Sequence, residues 1–365
     1  GATAGVTVNL NLTGAQNTGG AGLDTLVSIE NLTGTNFNDT LTGNGANNVL
    51  SGENGNDTLT GGNGNDTLNG GGNNDRLFGG NGNDLLAGGS GDDLLDGGAG
   101  LNTASYARAT AGVTVRLGDF TTGEGQATGG AGTDQLVGIE NLIGSNFNDD
   151  FFISFIDGPG TTINGENGND VIGVDHFVGG TVNGGGGNDD LEVFDSSGTF
   201  SGGAGNDTLT FGEFGAGTLN GGDGNDVLDG GLANDVDDRN VLNGGGGADT
   251  LDCGHGFMIC DYNAVSDSPA GGGRDTIHSF TGISHDERFG SQIDLRDIDA
   301  LPGGVNNAFT YIGSAAFTAA GQLRYAGGIL QGNTVGTTGA EFEIQLVGTP
   351  ALVVQAGNPA SDILL

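Results

Sequence analysis

A nine-residue rhythm runs from Gly34 to Ser105. GENGNDTLT (52–60) is followed directly by GGNGNDTLN (61–69); the pattern is Gly-Gly-x-Gly-x-Asp-x-Leu-x, with Glu53 in place of the second glycine in the first of them. A carboxylate thus recurs at every ninth residue beside a glycine-rich turn, an arrangement suited to holding metal rather than to catalysis. In this block the sixth motif position is held by Asp39, Asn48, Asp57, Asp66, Asp75, Asp84, Asp93 and Asn102. Two residues further on stand Leu41, Leu50, Leu59, Leu68, Leu77, Leu86, Leu95 and Ala104. Each nonapeptide reads as a six-residue turn and a three-residue strand whose middle side chain points inward. Glycine permits the positive φ angles that such turns need.

Two nonapeptides make one coil, because a strand and turn must go out and another pair must come back. Coils stacked about 4.8 Å apart form two parallel sheets with a leucine ladder between them. That core is one side chain thick, too thin to offset the ordering of so many glycines without help.

The help is written in the charge. The chain of 365 residues carries eight Lys+Arg against 46 Asp+Glu, a net charge of −38. Such a balance excludes nucleic acid and anionic membrane surfaces as partners. Abundant Gly and Asp alone would suit a disordered chain, but disorder does not require leucines at fixed spacing. The carboxylates are therefore expected to be neutralised by cations. No run of about 18 apolar residues is present, so no membrane insertion is expected.

The second block carries strong copies at 165–173, 184–192, 202–210, 221–229 and 244–252. Their spacing places the motif once per coil rather than once per half-coil. Intervening segments such as VFDSSGTFS (193–201) and FGEFGAGTL (211–219) are richer in Phe and Val, so this edge is expected to pack side chains. Residues 230–243 and 253–270 read as loops bulging from the coil. From about residue 281 the glycine rhythm gives way to ordinary strand segments, SQIDLRDIDA, AFTYIG, LRYA and EFEIQLVG, and the chain closes on Asp362-Ile363-Leu364-Leu365. This tail would cap an otherwise exposed parallel edge.

An internal duplication links the blocks: GGAGLDTLVSIENLTGTNFND (19–39) matches GGAGTDQLVGIENLIGSNFND (129–149), and GVTVNL (5–10) matches GVTVRL (112–117). Gly1 thus falls inside a repeat unit, and the chain reads as the C-terminal part of a longer protein. The expected organisation is a lead-in (1–33), a first roll (34–105), a duplicated lead-in (106–164), a second roll (165–280) and a capping domain (281–365). Cys253 and Cys260 could form a disulfide or, with His255, part of a metal pair. Arg76, Phe78, His176, His255, His278 and His285 read as surface or packing residues.

Hard oxygen ligands without His or Cys select Ca²⁺ over transition metals. Turns on one edge lie 18 residues apart, so one edge carries Asp39, Asp57, Asp75 and Asp93, the other Asn48, Asp66, Asp84 and Asn102. The best sites pair Asp57 with Asp75, Asp75 with Asp93 and Asp66 with Asp84, and those including Asn48 or Asn102 lose a charge. In the second block Asp170, Asp189, Asp207 and Asp226 pair in turn, while the insertion before Asp249 casts doubt on Asp226–Asp249. Unneutralised carboxylates about 4.8 Å apart repel by roughly 0.9 kcal/mol per pair in water, and more near a protein surface. Ca²⁺ binding and folding are then one event.

These residues resemble the RTX family of calcium-binding repeat proteins, to which the nonapeptide is specific when tandem. The resemblance implies an all-β fold: a right-handed parallel β-roll, or β-solenoid, with several Ca²⁺ ions between successive turns. It implies Gly52, Asn54 and Asp57 facing Gly71, Asn73 and Asp75, and Gly61, Asn63 and Asp66 facing Gly80, Gly82 and Asp84. The tail is similar to the C-terminal domain of serralysin-type proteins, and the closing DILL to the terminal motif of type I secretion. Where such tails carry an Asp-rich loop, this chain has GNTVGTTGAE (332–341), which puts a further site there in doubt. A type I secretion machinery as partner and an extracellular or cell-surface location in a Gram-negative bacterium follow from the same resemblance.

No catalytic motif accompanies the repeats. His285-Asp-Glu-Arg-Phe fails as a zinc protease helix, and no serine stands in Gly-x-Ser-x-Gly. The expected function is a non-enzymatic, calcium-stiffened extracellular scaffold, with self-association or cell-surface glycans as further partners. The alternative is a secretion and folding tail of a larger extracellular enzyme, which the intact mass of the native protein would reveal.

Overall fold

The computed structural model describes residues 2–19, 22–118, 124–157, 160–231, 239–253, 256–282, 290–301, 307–336, 338–355 and 361–365. Their regular structure is β-strand apart from one 3₁₀ turn, Val265–Asp267. Two compact units divide the chain, residues 1–172 with 177–181, and residues 173–176 with 182–365.

In the first unit, strands stack in parallel and in register, one coil on the next. One sheet aligns Leu41, Leu59, Leu77, Leu95 and Leu136. The other aligns Leu32, Leu50, Leu68, Leu86, Ala104, Leu142 and Ile163. From Leu41 to Ala104 the eighth-position side chains are at most 1 % exposed, so a single layer of leucine is the core of this roll. The strands are longer than the three residues the spacing suggests. Thr58–Asn63, for example, runs through the first three motif positions, pairing Gly62 with Gly80 and Asn63 with Asn81. Turns of identical length stack on one another, so their backbones bridge as well.

After Thr103–Ser105 the chain leaves the roll. Val113–Leu117 pairs antiparallel with Glu124–Gly129, which pairs antiparallel with Gly132–Val137. Residues 129–137, GGAGTDQLV, are themselves a full nonapeptide, and they re-enter the roll with Leu136 over Leu95.

In the second unit one ladder runs Leu191, Leu209, Leu228, Leu251, Ile277 and Leu346. The opposite ladder runs Phe200, Leu219, Leu242, Cys260, Ile293 and Ile363. Phe200 and Phe211 pack edge-to-face, with ring centroids 5.8 Å apart, in the half-coils that lack the strong motif. Both ladders continue into the tail, where Phe342–Leu346 and Ile363–Leu364 add parallel strands to the last coils. Gln322–Ala326, Ile329–Asn333 and Phe342–Leu346 form an antiparallel meander beside them. Cys253 and Cys260 are joined in a disulfide, and both are fully buried. His255 and His285 lie outside the described residues.

Candidate metal centre

The sixth-position aspartates build columns along the roll. Their carboxylates point inward beneath the turn, and Asp57, Asp66, Asp75, Asp84 and Asp93 are at most 4 % exposed. One carboxylate oxygen is committed to the backbone. Asp57 Oδ1 accepts the N–H of Asp39, Asp75 Oδ1 that of Asp57, and Asp93 Oδ1 that of Asp75, each at 2.7 Å. On the second edge Asp66 Oδ1 accepts from Asn48 at 2.7 Å and Asp84 Oδ1 from Asp66 at 2.8 Å. In the second unit Asp207, Asp226 and Asp249 accept from Asp189, Asp207 and Asp226, each at 2.8 Å. The insertion before Asp249 therefore does not break the rise. Val227–Asp229 and Thr250–Asp252 remain paired in register across it.

The other oxygen is left over. Among the described residues, Oδ2 of Asp57, Asp66, Asp75, Asp84, Asp93, Asp207, Asp226 and Asp249 is buried without a hydrogen-bond donor. A buried carboxylate oxygen without a donor is costly. Beside each one lies space that only glycine leaves open. A Cβ on Gly52 would stand 2.2 Å from Asp57 Oδ2 and 2.6 Å from the Gly70 carbonyl oxygen. The same cradle recurs at Gly61 beside Asp66 and the Gly79 carbonyl, at Gly70 beside Asp75 and Gly88, and at Gly221 beside Asp226 and Gly244. Among the described residues no three His, Cys, Asp or Glu converge, so a cation here would draw on backbone carbonyls as well as carboxylates. This all-oxygen donor set fits Ca²⁺.

Where a protein donor is present, the cradle is closed without metal. Asn102 Oδ1 accepts the Asp84 N–H at 3.0 Å while its Nδ2 donates to the Gly138 carbonyl at 3.0 Å. Asn48 Nδ2 likewise donates to the Glu30 carbonyl at 2.8 Å. Asp39 and Asp149 have the backbone N–H and hydroxyl of Thr35 and Ser145 as donors. Asp39, a candidate by its motif position, thus differs from the aspartates that follow it. Asp170 Oδ1 accepts the Asp149 N–H at 2.8 Å.

The remaining candidates fall elsewhere in the turns. Gly71 pairs with Glu53 and Gly80 with Gly62. Asn73 Oδ1 accepts the Gly55 N–H at 3.3 Å, and Gly82 stacks over Gly64. Asn54 and Asn63 are exposed and bond through their side-chain amides to Asn36 and Asn81, both at 2.8 Å. From Glu53 to Gly100 the second and fourth motif positions adopt positive φ: Gly62 and Gly64 stand at +116° and +110°, and the non-glycine Glu53 and Asn73 are held at 78° and 77°.

Burial pushes the ladder acids up. Asp57, Asp93 and Asp249 reach about 6, and Asp75 and Asp226 about 7, with neighbouring carboxylates adding to the effect on several of them. Two ladder members escaped the sequence reading. Asp134 Oδ1 accepts the Asp93 N–H at 3.0 Å, and Asp275 Oδ1 the Asp249 N–H at 2.9 Å. Burial raises them to about 7 and about 8, and the buried Tyr106 and Tyr262 lie against them. Asp134 was legible as the sixth residue of GGAGTDQLV, whereas Asp275 in GGGRDTIHS lacks the spaced glycine. Unforeseen too was an outer asparagine column at the fifth position. Asn38, Asn56 and Asn74 accept the N–H of Asn56, Asn74 and Asp92, running opposite to the aspartates.

Residues 33–68, 69–104, 192–210, 211–236 and 237–256 match the family of the RTX calcium-binding nonapeptide repeat (4 copies). No curated protein matches the chain.

Proposed function

Because the chain is an RTX calcium-binding β-roll protein, we propose that it is secreted unfolded, folds when calcium fills its ladders outside the cell, and serves there as a non-catalytic scaffold. The buried aspartate oxygens without donors, each beside a glycine cradle, carry this proposal. Asp57, Asp66, Asp75, Asp84 and Asp93 in the first unit, and Asp189, Asp207, Asp226 and Asp249 in the second, would hold the ions together with turn carbonyls. Bound calcium supplies positive charge and draws several oxygens at once. The residues do the rest: Oδ1 fixes each turn on the next, the glycines keep the cradle open, and the leucines exclude water behind it.

Extracellular calcium modules bind weakly, around 10⁻⁴–10⁻³ M, so cytosolic calcium would leave the ladders empty and the chain exportable. The C-terminus supports that order of events. Ile363 is fully buried against Ile293, and Asp362 Oδ2 accepts the Val353 N–H at 2.6 Å. A secretion machinery could read DILL only before the last coil closes. Catalysis has little support, because the repeat's buried acids are spent on the ladders and neither a zinc-protease nor a Gly-x-Ser-x-Gly motif accompanies them in the sequence.

Deleting residues 281–365 tests the proposal. With a type I exporter present, the truncated chain should remain in the cell, and purified it should refold in calcium more slowly than the full chain. Export at the normal rate would refute the role given to the tail.

A further inference from the structure

The duplication sets one sequence in two environments inside the first unit. Both copies open with a nonapeptide, GGAGLDTLV (19–27) and GGAGTDQLV (129–137). The second is seated on the preceding coil. Leu136 lies over Leu95 and Leu142 over Ala104. Asp134 Oδ1 accepts the Asp93 N–H at 3.0 Å, and Glu140 Oε2 the Asn102 N–H at 2.8 Å. Leu136, Ile139 and Leu142 are 1 %, 8 % and 0 % exposed.

Their counterparts in the first copy are Leu26, Ile29 and Leu32. Ile29 is 40 % exposed, Leu26 and Leu32 are only half-buried, and the flanking Leu23 and Val27 are each 72 % exposed. The side facing the following coil is alike in both copies, with Leu32 on Leu50 and Leu142 on Ile163. The side facing a preceding coil differs.

The hairpin register differs with it. In the second copy Gln126 pairs with Gln135 and Ala127 with Asp134. Equivalent pairing would set Gln16 against Thr25, yet Gln16 pairs with Asp24 and Asn17 with Leu23. A one-residue slip turns a strand's side chains to the opposite face, and it occurs where no buried face fixes the register.

We propose that the face formed by Asp24, Leu26, Ile29, Glu30 and Leu32 is a docking surface for one more coil of calcium-binding nonapeptides. That coil would be continuous with the chain ahead of Gly5, in the place residues 88–105 hold ahead of Gly112. It would present leucine or alanine beneath Leu26 and Leu32, and backbone N–H groups of its sixth-position residues to Asp24 and Glu30. Loading of its edges rests on the calcium reading above, whereas its seating is a matter of register and burial.

A chain with a second copy of residues 34–111 joined directly to Gly5 recreates the Ala111–Gly112 junction. In calcium, hydrogen exchange at amides 24–33 should slow by about tenfold or more relative to the parent, approaching that of amides 134–143. Leu26→Asp should restore fast exchange in the extended chain and change little in the parent. Equal exchange at 24–33 in parent and extended chains overturns the proposal. Slow exchange in a parent that dimerises in calcium would overturn it as well, by showing that a second copy covers the face. Equilibrium dialysis of both chains counts bound calcium separately. A parent that binds none would sink the calcium reading and leave the exchange comparison to decide the seating.

Discussion

Asp75 shows what one ladder residue does. Its Oδ1 holds the Asp57 N–H while its buried Oδ2 has no donor, and burial raises its carboxyl to about 7. Asn102 occupies the same motif position with an amide that donates to a carbonyl. Asp75→Asn should therefore have opposite effects in the two states. Without calcium it should raise stability by about 1–3 kcal/mol, the cost of an unsatisfied buried group. With calcium it should lower stability and reduce the number of ions bound. Far-ultraviolet circular dichroism in chelator, thermal melts in calcium and ion counts by dialysis would show this crossing as more residual β signal than the parent in chelator and a lower melting temperature in calcium, and a loss in both would contradict it. Glu53 offers a second test at this scale. It sits at φ 78° where Gly62 and Gly80 adopt 116° and 114°, a conformation that costs a side chain of order 1 kcal/mol or more. Glu53→Gly should raise the denaturant midpoint by about 1 kcal/mol of stability, and an unchanged midpoint would show that the turn is unstrained there.

Each strand of the roll divides its neighbours between core and solvent. Leu50 is fully buried and the adjacent Val49 is 47 % exposed. Chemical denaturation should find Leu50→Ala costly, about 2–5 kcal/mol, because the next coils cannot collapse into the gap. Val49→Ala should stay within about 0.5 kcal/mol. The turn has an equally sharp requirement. A Cβ on Gly70 would stand 2.3 Å from Asp75 Oδ2 and 2.5 Å from the Gly88 carbonyl oxygen, so Gly70→Ala should abolish calcium binding at that cradle, read as one site lost by dialysis. Much at this scale was legible beforehand. The eighth-position leucines and sixth-position aspartates follow from a period of nine, since an in-register coil repeats every two nonapeptides. Less legible was anything set by stacking rather than by period. The bridged turns, the asparagine column and Asp275 depend on which backbone groups meet across coils. The continuity at Asp249 was misjudged for the same reason: an insertion changes chain length without changing the strands that pair.

In the whole molecule the columns act together, on a chain whose net charge is −38. Burial raises the carboxyls of Asp57, Asp75 and Asp275 from the ordinary 3.8 to about 6, 7 and 8, so the calcium-free folded state binds more protons than the unfolded state in that window. Stability without calcium is then fully present below 3.8 and falls as pH rises through the raised values. Denaturant midpoints in chelator should decline from acid toward neutral pH, whereas calcium affinity should increase over the same range as protons stop competing for the carboxylates. A flat chelator profile would mean that these acids are not buried together. The central claim is that calcium and the roll form in one step. Far-ultraviolet circular dichroism of the full chain at pH 7.5, begun in excess chelator and titrated with calcium, tests it most directly. The signal should pass cooperatively from disordered to β, its midpoint tracking the free calcium concentration. A complete β spectrum in chelator, unchanged by added calcium, would contradict it.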